Sequence, residues 1–283
     1  MIESTFANRI KLPLSGTTPR GPLVIGHRGA SLEKPENTIA AFLAAIDSGA
    51  DAIELDVRRT IDGELVVIHD ATVDRTTDGS GSVSQLSLAQ IKRLDAGYRF
   101  TRDGGRTFPY RNQGIGVPTL AEVLSATDDT MIFLELKEKN RELADCVRAC
   151  LVEHQALDRV LIQTICSSHK ATKYLRSLDK RLLIGHSSFE IGLFFTLSLF
   201  RLGRLFKPRG PSFEVPKSKY GLRLLSNFFV KRAQKAGICV IVWTVDDRIT
   251  LEKCLSLGVD GVISNNPSVL ARLKQTKKGK EQI

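Results

Sequence analysis

Eight times between Leu23 and Ser264, a short apolar run rich in Val, Ile and Leu is followed by a stretch of helical pattern. The runs begin near residues 23, 51, 131, 160, 182, 212, 238 and 260. Brief apolar runs bounded by turn residues suit strands buried on both faces. In the first unit Leu23-Val24-Ile25-Gly26 is followed by His27-Arg28-Gly29-Ala30. Pro35-Glu36-Asn37-Thr38 then opens a helix over residues 39–46, with Asn37 or Thr38 as N-cap. Gly49 ends that helix and Asp51 begins the next strand. This is the βαβ unit of a parallel sheet. Further helices are expected over 143–154, 170–178, 228–236, 251–257 and 268–274, and the run at 212–215 is the least strongly patterned of the strands. Eight parallel strands with intervening helices predict an α/β fold, a closed (β/α)8 barrel rather than an open sheet.

The second unit is elaborated. DAIELDVRRTIDGELVVIHD, residues 51–70, reads as two strands joined at Asp62-Gly63. Ile53, Leu55 and Val57 alternate with Glu54, Asp56 and Arg58, so Glu54 and Asp56 share a strand face about 7 Å apart. With Asp62-Gly63 as a two-residue turn, His69 is expected opposite Asp56. The plain alternative is a surface hairpin with solvated charges. About sixty residues then separate His69 from the strand at 131, too many for one crossover. A small inserted subdomain over the barrel mouth is expected at 70–117, ending where Val117-Pro118-Thr119-Leu120 leads into a helix over 121–125. Residues 1–21, punctuated by Pro13, Gly16 and Pro19, form a lead-in; 22–273 form the barrel; 274–283 form a basic tail.

Active sites of such barrels lie at the C-terminal strand ends. Those ends carry His27 and Arg28, Glu54 and Asp56, Glu135 and Lys137, and Trp243, with His69 brought to the same rim by the hairpin. Glu54, Asp56 and Glu135 offer hard oxygen ligands for one divalent cation, Mg2+ or Ca2+. Imidazoles titrate near neutrality, so His27 and His69 suit a proton-donor and proton-acceptor pair. Arg28 and Lys137 add positive charge beside the metal, as phosphoryl chemistry requires. Taken singly, a strand-end histidine more often satisfies its neighbours, and a rim tryptophan more often packs; convergence on one face carries the reading.

At this point the motifs VIGHRGASLEKPENTIAAF, GADAIELDVRRTIDGELVVIHDATVDRTTDGSG, VPTLAEVL, FLELK, VIVWTVDD and LGVDGVISNNP resemble the glycerophosphodiester phosphodiesterase family in order and spacing, over roughly residues 23–273. The resemblance implies a TIM barrel with an insertion after the hairpin. It also implies His27 and His69 as general acid and base; Glu54, Asp56 and Glu135 as metal ligands; and Arg28 and Lys137 as phosphate contacts, with Trp243 at the substrate. The implied reaction is hydrolysis of a glycerophosphodiester to sn-glycerol 3-phosphate and an alcohol. Thr164-Ile165 and Ser264-Asn265-Asn266-Pro267 depart from the family's usual Ser-Phe and Thr-Asp-x-Pro. Both lie at strand ends and bear on substrate shape.

The net charge of +10 is concentrated: residues 201–235 hold ten Lys or Arg and one acid, Glu214. Just before them, residues 191–200 are an uncharged run too short to span a bilayer. One reading is a barrel helix packed inward. The other is an interfacial helix at the active-site rim, in peripheral contact with an anionic membrane. That second reading makes a lysophospholipid the alternative substrate to a small water-soluble phosphodiester, as for a lysophospholipase D. The basic window is read as lacking interleaved exposed aromatics and any recognised motif, and no nucleic-acid partner is expected. A catalytically silent barrel that only binds head groups would lack some of the carboxylates or histidines, and none is missing. Five cysteines without CxxC spacing indicate a reducing compartment, and the N-terminus has no continuous apolar stretch of the kind a secretory signal needs. The expectation is a cytoplasmic enzyme, peripheral at the inner membrane face. A secreted sphingomyelinase-D-like toxin of similar fold would go with a signal peptide and disulfides.

Overall fold

The structure, a computed structural model, describes residues 21–138, 140–163, 169–217 and 225–280, with side chains of the last helix described as far as 273. The lead-in up to residue 20, Thr164-Ile165, Lys219 and Arg223 lie outside the described residues. Strands β1 (Leu23–His27), β2 (Ala52–Arg59), β3 (Leu65–Val67), β4 (Met131–Leu136), β5 (Val160–Gln163), β6 (Leu183–Ile184), β7 (Ser212–Pro216), β8 (Cys239–Trp243) and β9 (Gly261–Ser264) form one sheet. Its order is β6-β5-β4-β2-β1-β9-β8-β7, with parallel neighbours throughout; β3 is antiparallel on β2. Crossover helices α1 (Ile39–Asp47), α3 (Leu120–Ala126), α4 (Arg141–Glu153), α5 (His169–Leu178), α6 (Ser188–Leu199), α7 (Asn227–Lys235), α8 (Arg248–Leu257) and α9 (Pro267–Lys280) cover the outside, and the short α2 (Leu88–Ile91) belongs to the insertion. The fold is the α/β TIM barrel expected.

Local chemistry sets the helix starts. Thr38, not Asn37, caps α1, accepting from the Ala41 amide. Thr119 and Ser187 head reciprocal capping boxes with Glu122 and Glu190, which fix the entries of α3 and α6. The run at 212–215, least patterned in the sequence, is a full strand paired with β8 over five residues; the two-residue β6 is the short one. β6 and β7 end the ladder on either side of a seam. There His186 bridges: its amide donates to Ser212 O (3.2 Å), its Nδ1–H donates to the same carbonyl (2.9 Å), and its Nε2 accepts from the Arg209 amide (3.2 Å).

Two expectations are corrected. The hairpin register is one residue off. Val57 pairs with Val67 and Arg59 with Leu65, and the Ile68 amide donates to Asp56 O (2.9 Å), so Ile68 and not His69 meets Asp56. The turn is a three-residue loop, Ile61-Asp62-Gly63, closed by Thr60 N–H to Glu64 O (3.0 Å), with Gly63 at φ +89° in the left-handed region such loops require. Asp62 is held there by the Thr60 hydroxyl (2.5 Å) and the Leu88 amide (3.1 Å). The second correction concerns residues 191–200. They lie in α6 and at its C-terminal end, and α6 leads from the C-terminal end of β6 to the N-terminal end of β7. Only its first turn shares the active-site rim, and the rest descends the outer wall.

Inside the barrel, Ile25, Ala52, Phe133, Leu161, Leu183, Ile241 and Ile263 form one apolar layer. Residues 70–117 place Val73, Val83, Ile91, Ala96 and Val117 in a separate small core that includes Val66 and Ile68 of the hairpin.

Candidate active site

Strand periodicity builds the site. Side chains two residues apart share a face, so each residue two places beyond the apolar layer also points inward, toward the mouth. Ile25 is followed in this way by His27, Ala52 by Glu54 and then Asp56, and Phe133 by Glu135 and then Lys137. Ile241 is followed by Trp243 and Ile263 by Asn265. Parallel register aligns His27 with Glu54, and Asp56 with Glu135. The strand-end residues singled out from the sequence therefore converge for a geometric reason.

Glu54, Asp56 and Glu135 each present an oxygen within 4.8 Å of the others. Glu54 and Asp56 are buried, and Glu135 Oε1 is buried without a hydrogen-bond partner among the described residues. Burial, with Asp56 and Glu135 close by, pushes the Glu54 carboxyl well above the usual range. A divalent cation would give the orphaned oxygen a partner and offset this repulsion. The donor set, carboxylate oxygens alone, fits a hard ion such as Mg2+ or Ca2+.

Cations frame the acids. Lys137 Nζ lies 3.0 Å from Asp56 Oδ1 and 2.8 Å from Glu135 Oε2; burial disfavours its charge, but these two carboxylates outweigh burial and hold it protonated. The Arg28 amide donates to Glu54 Oε2 (2.9 Å), and its guanidinium reaches Glu36 (2.8 Å) and Asp56 (3.2 Å).

His27 Nδ1 is 2.6 Å from Asn265 Oδ1. The Asn265 Nδ2 donates to Asp246 (2.7 Å), so its Oδ1 can only accept and the neutral His27 carries its proton on Nδ1. Nε2 then keeps a lone pair on the Glu54 side, 3.9 Å from Glu54 Oε2. Burial and the Arg28 charge lower the His27 pKa. His69 follows β3, with Nδ1 2.6 Å from Asp70 Oδ1. Asp70 in turn binds Arg75, which forks onto Glu36 with two 2.7 Å bonds. Burial favours the neutral form of Glu36, but the Arg75 hydrogen bonds and the Arg28 charge win and take it down to about 2. A chain of alternating charge thus runs Asp70–Arg75–Glu36–Arg28–Asp56, with His69 hydrogen-bonded at its Asp70 end. Trp243 Nε1 is buried without a partner among the described residues, a donor free for an oxygen.

Several members of the site went unread in the sequence. Asn37, buried at φ +56°, donates from Nδ2 to Asp56 Oδ2 (2.8 Å) and accepts from the Asp56 amide (3.3 Å). Glu36, Asp70, Arg75 and Asp246 act only through partners. Asn265 had one signal, its place in the departing Ser264-Asn265-Asn266-Pro267 stretch. Glu214 is buried on β7 with Oε2 unpaired among the described residues, and burial pushes it up to about 7.

Comparison with known proteins bears on this geometry. The profile of the "Glycerophosphoryl diester phosphodiesterase family" matches residues 27–269. The glycerophosphodiester phosphodiesterase of Caldanaerobacter subterraneus subsp. tengcongensis is 34% identical over 256 residues, 89% of this chain and 97% of that protein. One from Bacillus subtilis is 29% identical, covering 91% of this chain and 88% of its own length. Among solved structures, an Oleispira antarctica phosphodiesterase in complex with the product sn-glycerol-3-phosphate is similar with a TM-score of 0.72 and 25% identity, covering 90% of this chain and 97% of that one.

Proposed function

The chain belongs to the glycerophosphoryl diester phosphodiesterase family, and from that premise we propose that it hydrolyses glycerophosphodiesters to sn-glycerol 3-phosphate and an alcohol. The observation carrying this reading is the convergence of Glu54, Asp56 and Glu135 beside His27 and two cations, with His69 tied to the same site through Asp70, Arg75 and Glu36. Glu54, Asp56 and Glu135 would hold Mg2+ or Ca2+. When bound, that ion polarises a phosphoryl oxygen and neutralises charge developing at phosphorus. Lys137 and Arg28 orient and offset the phosphate's charge, and the Trp243 N–H donates to a substrate oxygen. His27, with Nδ1–H tied to Asn265, and His69, with Nδ1 tied to Asp70, exchange protons through Nε2. One takes the proton of the nucleophile, either water or the glycerol's own neighbouring hydroxyl, and the other gives one to the leaving alkoxide. Where the hydroxyl attacks, water then opens the cyclic phosphate to sn-glycerol 3-phosphate.

Release of choline from glycerophosphocholine, assayed after chelation and after restoring Mg2+ or Ca2+, tests the reading. Loss of turnover on chelation and its return with either ion are expected. Turnover indifferent to chelation would remove the metal assignment, and no turnover with either ion would remove the substrate class.

Single-chain lysophospholipids are the second substrate class for the same site, favoured by Phe189, an exposed apolar residue on the first turn of α6 and so at the active-site rim. Turnover of lysophosphatidylcholine beside that of glycerophosphocholine separates the two.

A further inference from the structure

α6 is apolar on every side. Its inner face is core: Ile191, Phe194 and Ser198 are buried, and the Phe194 ring packs against those of Phe206, Phe213 and Phe229. Its outer face is open. Phe189 (60% exposed), Leu193 and Phe200 (72%) form a stripe at helical spacing. The stripe continues past the helix end into Leu202 and Leu205 (67%) around the short 3-10 turn Gly203–Leu205. Isolated exposed apolar residues are ordinary, but a contiguous stripe of large ones marks a surface that something covers.

Charge identifies the occupant. Arg201, Arg204, Lys207 and Arg209 are exposed around the lower end of the stripe, and no acid occurs between residues 191 and 213. A second copy would bring the same cations against these, within a chain of net charge +10. We propose that this face docks on an anionic lipid surface, with the apolar stripe entering the head-group boundary and the arginines and lysines facing lipid phosphates. Because α6 descends the outer wall, the barrel lies on its side. Its mouth opens along the membrane plane rather than into it, and beyond Phe189 the stripe does not lie in the substrate channel.

The test is co-sedimentation with phosphatidylcholine vesicles and with vesicles containing phosphatidylglycerol. Binding is read without substrate, so its failure leaves the catalytic reading standing. The protein should bind the anionic vesicles alone, and added salt should release it as screening shortens the reach of the charges. R201Q with R204Q should weaken binding about twentyfold or more, at roughly fivefold per cation. F200S with L205S should weaken it further, with glycerophosphocholine turnover unchanged in both, which also shows that the variants fold. Absence of binding at low salt, equal binding to neutral vesicles, or indifference to both variants would overturn the proposal. So would a concentration-dependent dimer that F200S dissolves, since a second copy would then cover the face.

Discussion

Asn37 combines two requirements that different residues meet separately elsewhere. Its backbone sits at φ +56°, where asparagine and glycine are tolerated, and its amide both donates to the Asp56 carboxylate and accepts from the Asp56 N–H. Glycine at this position keeps the backbone and removes only the hydrogen bonds. N37G should therefore unfold near the wild-type temperature yet bind Mg2+ or Ca2+ about ten- to a hundredfold more weakly, the range for partners that orient a metal ligand. Titration calorimetry beside a thermal scan checks this, and unchanged affinity would reduce Asn37 to a turn residue. At this scale the strand-end residues were legible, because period two forces their side chains to one face whatever surrounds them. The His69–Asp70–Arg75–Glu36 chain was not. Arg75 reaches Glu36 across 39 positions and Asn265 reaches His27 across 238, and nothing local in the sequence marks such a pairing.

At the scale of elements, the strand and helix alternation carried most of the fold, while pairing details depended on contacts the pattern does not hold. Asp-Gly signals a hairpin but not its loop length. Thr60 and the distant Leu88 amide capture Asp62, and the three-residue loop follows. The shortness of β6 likewise reflects a role passed to a side chain, since the His186 ring does across the seam what a ladder does elsewhere. That ring uses one nitrogen as donor and the other as acceptor, and protonation would set an N–H against the Arg209 amide. Burial lowers its pKa from 6.5 to about 4. The folded state thus binds this proton less readily than the unfolded chain. Its contribution to stability is complete above pH 6.5, falls as the pH drops from 6.5 to about 4, and is flat below that. The loss is on the order of 3 kcal/mol. H186Q keeps a donor and an acceptor without titrating, so its urea midpoint should change less than that of the wild type between pH 7 and pH 5. Equal slopes for the two proteins would show that the acid sensitivity lies elsewhere.

Across the whole molecule, the outer apolar packing falls into two bodies. One, including Phe42, Leu120, Leu151 and Leu175, backs β2, β4 and β5; the other, including Phe194, Phe213, Phe229 and Leu251, backs β7, β8 and β9. On one side the bodies are joined through β1, whose register runs continuously into β2 and into β9. On the other side they meet at the seam, where β6 offers two residues and His186 spans to Ser212 and Arg209. Local openings follow the fewest simultaneous contacts, so the barrel should part at this seam well before β2 separates from β4, which pair over six positions. Hydrogen exchange tests the asymmetry directly. The His186 amide, bonded to Ser212 O, should exchange through a partial opening insensitive to low denaturant, whereas the β2 and β4 amides should exchange only with global unfolding. Protection of the His186 amide equal to that of β2 would mean that the two bodies open as one and that the seam is as strong as the ladder opposite it.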